Sequence, residues 1–154
     1  MSITRRRGIG IVLGVLLAML VVLPAKPALA DDSYTNWGYT FPFSGTNATW
    51  ETAGRYKATS TEAFLQIQDI VGISGCYFRL DGSHSSAGPW NTGLTRGGSA
   101  YAASYRRGYF LISNYVNENG YSYARLAGRS ARGRGTIWGQ WSPDTHERYH
   151  TILN

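Results

Sequence analysis

Cys76, Phe78 and Leu80 alternate with Tyr77, Arg79 and Asp81, and a period of two recurs in short runs along this chain. Successive side chains of an extended strand point to opposite faces, so such runs predict strands with one face buried. Residues 99–106 place Tyr101, Ala103 and Tyr105 on one face. Residues 108–116 set Phe110, Ile112, Asn114 and Val116 against Tyr109, Leu111, Ser113 and Tyr115, apolar on both sides as a central strand would be. Asn117-Glu118-Asn119-Gly120 comes next, and Asn-Gly readily takes the positive φ of a tight turn. The sequence therefore predicts a hairpin there, with residues 121–128 returning beside 108–116.

The remaining segments fit the same plan. Residues 31–42 read as a polar, aromatic lead-in. Residues 49–59 predict a first strand with a bulge at Gly54. In residues 62–70 the apolar positions suit a helix face or a strand, and Gly72 and Gly75 end the run soon enough to favour strand. Residues 82–98 predict a long loop tucked down by Trp90 and Leu94, residues 128–135 a basic, flexible turn, and residues 136–141 a last strand stopped at Pro143. The tail beyond it reads as a short helical turn or disorder. Six or seven short strands predict an all-β fold, a small antiparallel β-sandwich or small barrel, because a lone sheet would leave an apolar face in water.

Residues 1–30 do not fit that plan. Arg5, Arg6 and Arg7 precede an uncharged apolar run from Ile9 to Leu23, and Ala28-Leu29-Ala30 supplies a small-residue exit. That order of charge, apolar stretch and small residues predicts a cleaved signal peptide, removed to leave one domain over residues 31–154. The run falls short of the about 20 residues that span a bilayer core of about 30 Å. The basic start is compatible with the general secretory or the twin-arginine route. The expected location is secreted or extracellular, with the cell surface included.

Cleavage changes the charge. The full chain carries +6, but Arg5, Arg6, Arg7 and Lys26 leave with the signal, so eleven basic residues face nine acidic ones in the mature domain. A net of about +2 predicts no nucleic-acid partner. Cys76 is the only cysteine, so no disulfide within the chain holds the fold, and its apolar setting predicts a buried thiol.

Catalytic sets are sparse. The carboxylates show no local pairing of the kind glycosidases use. No Gly-x-Ser-x-Gly elbow, phosphate loop or dinucleotide-binding spacing occurs. No catalytic residue and no cofactor is assigned. His146-Glu147-Arg148-Tyr149-His150 spells His-Glu-x-x-His, in which two imidazoles on one helix face bind zinc and the Glu activates water. It lies four residues from the end of the chain and lacks an evident third ligand, so metal-dependent hydrolysis by His146, Glu147 and His150 is the alternative, not the leading expectation.

Recognition features are more plentiful. Five tryptophans and eleven tyrosines exceed what a core of this size must hold. Arg125, Arg129, Arg132 and Arg134 lie within ten residues, with Trp138 and Trp141 just beyond. These six form the expected binding site, its cations drawn to an anionic envelope polymer, lipid or protein partner.

Tyr115 to Gly120, Tyr121-Ser122-Tyr123-Ala124-Arg125-Leu126-Ala127-Gly128 and Gly139-Gln140-Trp141-Ser142-Pro143-Asp144 resemble a group of uncharacterised small secreted proteins of Gram-positive bacteria. Those carry an Asn-Tyr-Val-x-Glu-x-Gly-Tyr segment, then Ala-Arg-Leu-x-Gly and Trp-Ser-Pro-Asp. The resemblance implies location and a β fold, without chemistry. A more distant similarity is to secreted β-sandwich bacteriocins of the lactococcin 972 type, about half this mature length. The expectation is a non-enzymatic exported protein that binds an envelope component or extracellular partner, with a bacteriocin-like activity on target envelopes as an alternative.

Overall fold

The computed structural model describes residues 31–146 and 150–153. The segment read as a signal peptide lies outside the described residues, as do Glu147, Arg148 and Tyr149. A short 3₁₀ turn, Asp31–Tyr34, leads into ten strands: β1 Trp37–Phe43, β2 Thr49–Glu51, β3 Arg55–Tyr56, β4 Ala63–Ile73, β5 Gly75–Ser83, β6 Ala100–Ala103, β7 Gly108–Ile112, β8 Tyr123–Ser130, β9 Gly133–Ser142 and β10 Thr151–Ile152. They form two sheets, in the orders β1-β9-β4-β7-β10 and β2-β8-β5-β6, with β3 also on β8. All pairings are antiparallel except β10 on β7. The expected all-β sandwich is what the chain forms.

Its spine is a folded ribbon. β4 pairs with β9 in the first sheet and β5 with β8 in the second. Only Ser74 separates β4 from β5, and only Ala131 and Arg132 separate β8 from β9. The ladder continues through the bend, where Ser74 N–H donates to Arg132 O at 3.0 Å and Ala131 N–H to Gly75 O at 3.0 Å. Strands that pass from one sheet to the other need bulges or bends at the corner. Gly72 (φ +77°) and Gly133 (φ +95°) supply them, in a backbone conformation that side chains with a Cβ resist. Two register shifts in β4 also account for its ambiguous spacing. Each bulge moves the next inward residue along by one, so Ile67, Ile70 and Ile73 all reach the core three apart.

The core lies between the sheets. Phe41, Leu65, Ile137 and Trp141 of the first sheet meet Phe78, Leu80, Leu126 and the small Ala100, Ala102 and Ala124 of the second. Gly128 leaves the space that Phe41 fills: a Cβ there would stand 2.5 Å from the ring. Such large-against-small matching lets two twisted faces interlock.

Several expectations change. The lead-in hides β1, which sends Tyr39, Phe41 and Phe43 into the core. Pro42 is tolerated because β1 is an edge strand, bonded to β9 alone. The expected strand at 49–59 is two short ones, both on β8. The region 99–106 keeps only β6. The turn at 117–120 forms, with Gly120 at φ +81°, yet it makes no hairpin. It carries the chain from β7 in one sheet to β8 in the other, and β7 is next to the edge, with β4 at the centre. The basic stretch 128–135 is mostly strand, fixed by ladders on both sides of the corner. The tail adds the parallel strand β10, with Leu153 buried.

Candidate functional site

The four arginines of β8 and β9 have different fates. Arg125 Nε donates to Asp81 Oδ2 at 3.0 Å, its guanidinium approaches Glu51 at 3.9 Å, and it lies 4.9 Å from the Trp90 ring. Asp81 is fully buried and also takes Arg79 Nε at 2.8 Å. A buried carboxylate needs such partners, so Arg125 serves the outer face of the second sheet. Arg129 covers Tyr77 at 4.6 Å and donates to Asn47 Oδ1 at 2.7 Å. Arg132 and Arg134 are exposed at the corner, Arg134 Nε donating to Ser44 O at 3.1 Å. Trp138 is half-buried on the outer face of the first sheet. Trp141 is 1% exposed, packed inward beside Leu65, and this corrects its expected place on a binding surface. Strand alternation separates these two rings, since residues three apart point to opposite faces.

The fold adds cations that sequence proximity did not suggest. Ser104 N–H donates to Ser74 O at 3.0 Å, which brings the β6–β7 turn to the same corner as Arg132. That turn holds Tyr105, 84% exposed, with Arg106 and Arg107 beside it. Arg106 lies 5.7 Å from the Phe110 ring, and Arg107 pairs with Asp69, whose carboxyl it holds below the usual range. Val71 is exposed close by on β4. One end of the sandwich thus carries Arg132 and Arg134 at its corner, with Tyr105, Arg106 and Arg107 in the turn bonded to it.

The other end of the β4–β9 ladder is built differently. Lys57 and Asp144, 87 positions apart, form an ion pair at 2.9 Å with both side chains fully buried. The ammonium also donates to Thr61 O at 2.7 Å and Pro143 O at 2.8 Å. Asp144 accepts further from Ala58 N–H at 2.6 Å, Thr59 Oγ1 at 2.7 Å and Thr61 Oγ1 at 3.1 Å. Desolvation lowers the Lys57 pKa, and the carboxylate opposes that shift. With every oxygen and proton engaged, the pair is a clasp between the segment after β3 and the segment after β9.

Beside the clasp lies a cleft of about 390 Å³. Tyr34 stacks on His146 at 3.8 Å. His150 lies 5.6 Å from Tyr109 and 5.9 Å from Phe64. Phe64 and Tyr109 share the outer face of β4 and β7, and β10 closes the edge. The two imidazoles expected to share one metal therefore rest on different aromatic rings. His146 has no helical structure, Glu147 lies outside the described residues, and no cluster of three His, Cys, Asp or Glu residues suited to a metal occurs among those described.

A family model described as "Protein of unknown function (DUF2712)" matches residues 26–145. The chain belongs to that family. No curated protein and no solved structure shows significant similarity to it. The DUF2712 match takes in β1 to β9 and the Lys57–Asp144 clasp, and ends just before His146.

Tyr34, Phe64 and Tyr109 escaped sequence reasoning because they come from three distant segments and no local pattern joins them. The cationic end was half legible. Arg132 and Arg134 stand close in sequence, whereas Arg106 and Arg107 join them only through the bend of the ribbon.

Proposed function

We propose that this protein is a non-enzymatic, exported β-sandwich that attaches to an anionic component of the cell envelope. The observation that carries this reading is the cationic end, where the corner bearing Arg132 and Arg134 is bonded to the turn bearing Arg106 and the exposed Tyr105. Guanidinium groups at such a surface meet phosphates and carboxylates of envelope polymers or lipids, and an exposed tyrosine adds apolar contact with a polar edge. The resemblance to small secreted proteins of Gram-positive bacteria supplies the surface to test. The distant bacteriocin similarity makes growth inhibition of sensitive cells a second readout of the same attachment.

Sedimentation of the purified protein with isolated Gram-positive walls and membranes, across a salt series, tests the proposal. Retention should weaken as salt screens the charges. Each arginine at an anionic surface contributes about 1 kcal/mol, so replacing Arg106, Arg132 and Arg134 with Ala should weaken retention by about two orders of magnitude. Salt-independent retention, or full retention by the triple variant, would refute it.

A further inference from the structure

The aromatic cleft is a second site, at the opposite end of β4 from the corner that bears Arg132 and Arg134. Phe64 marks the cleft and Ile73, paired with Gly133, the corner along β4, a separation of roughly 30 Å at about 3.3 Å per strand residue, while Arg107, two residues before Tyr109, is held by Asp69. A neighbouring cavity of about 540 Å³ shares Tyr34, Thr145, His146 and His150 with the first. Together they form a groove on both sides of the two imidazoles, each part within the range of about 300–1,000 Å³ usual for ligand sites.

Three features select the ligand class. Aromatic rings reach the solvent at a concave place: Tyr109 is 54% exposed beside Phe64, and His146, stacked on Tyr34, is exposed. The mouths carry uncharged polar groups, Asn36 on one side and exposed Ser60 on the other. Charge is sparse among the described lining residues. Asp144 is already neutralised by Lys57, and among the described lining residues Glu62 is the other carboxylate and there is no Arg or Lys. The described lining offers an anion no fixed cation, and a purely apolar ligand would strand the polar rim. A pyranose suits both demands, since its C–H face lies against an aromatic ring while its hydroxyls reach the rim.

We propose that this groove binds a neutral oligosaccharide, with sugar rings laid against Tyr109 and the imidazole of His146. The groove is not lined by Arg106, Arg132 or Arg134, so its binding is independent of envelope attachment through them.

The test is titration of the purified protein with neutral tetrasaccharides of N-acetylglucosamine, glucose and mannose, monitored by calorimetry and amide NMR at millimolar sugar. At least one should bind. Tyr109→Ala should weaken it about tenfold, and Tyr109→Phe should retain it because the ring face remains. Tyr109 is at the surface, so both variants should keep the fold, which the same spectra report. Arg132→Ala with Arg134→Ala should leave sugar binding unchanged. No binding of any of the three sugars overturns the proposal, as does affinity unaffected by both Tyr109→Ala and His146→Ala.

Discussion

Lys57→Met removes the ammonium of the clasp while keeping an apolar stem of similar reach. Nothing replaces the charge, because Lys57 and Asp144 are both fully buried. Breaking a buried ion pair by deleting one partner costs about 3–5 kcal/mol, chiefly because the surviving charge is left in a poor dielectric. Asp144 would retain Ala58 N–H and the hydroxyls of Thr59 and Thr61, which places the cost near the lower end, about 3 kcal/mol. In a domain of this size that lowers Tm by about 10 °C. The second arm is Lys57→Met with Asp144→Asn. A neutral amide keeps an acceptor for Ala58 N–H and carries no charge to strand, so the double variant should recover at least about 1 kcal/mol over the single. Urea unfolding monitored by tryptophan fluorescence measures both, with an unchanged m-value confirming that stability alone has moved. A single-variant cost below about 1 kcal/mol, or a double variant no better than the single, would refute the view that uncompensated charge is what the clasp prevents.

The two tryptophans near the end of β9 should part company. Trp141→Ala empties a core position and should cost about 3–5 kcal/mol by denaturant titration, while Trp138→Ala, on the outer face, should cost less than half as much. Burial pushes the Cys76 thiol up to about 12, against an ordinary 9.0. The folded protein should therefore resist iodoacetamide at pH 8 and react once unfolded, as mass spectrometry will read. Because the unfolded thiol gives up its proton first, raising the pH favours unfolding through this group. Its contribution to stability is complete below pH 9 and is lost as pH rises toward 12.

Local order was open to reading wherever one strand's own pattern decided it. The alternation at residues 76–81 is a half-buried strand, and Cys76, Phe78 and Leu80 are its buried side. The lack of any long amphipathic helix pattern, with short alternating runs in its place, dictated an all-β chain whose apolar faces had to meet in two layers. Asn117 to Gly120 turns as its residues demand, because positive φ at Gly120 is a local preference.

The destination of the chain after a turn is set over longer distances. The segment leaving Gly120 joins the opposite sheet because β5 offers β8 a full-length partner, whereas β7 is already held by β4 and β10. Trp138 and Trp141 look alike in sequence, and only the register of β9 against β4 sends one outward and the other into the core. The turn bearing Arg106 reaches the corner of Arg132 because Ser104 bonds to Ser74 at the bend, and Lys57 finds Asp144 across 87 positions because the ends of two strands converge. Residue order was enough to mark the segments that could be strands, since backbone preference and side-chain period act over a few residues. Which charges were neutralised and which rings stayed exposed depended on the packed sheets, because burial and pairing require partners that the chain brings together only when it folds.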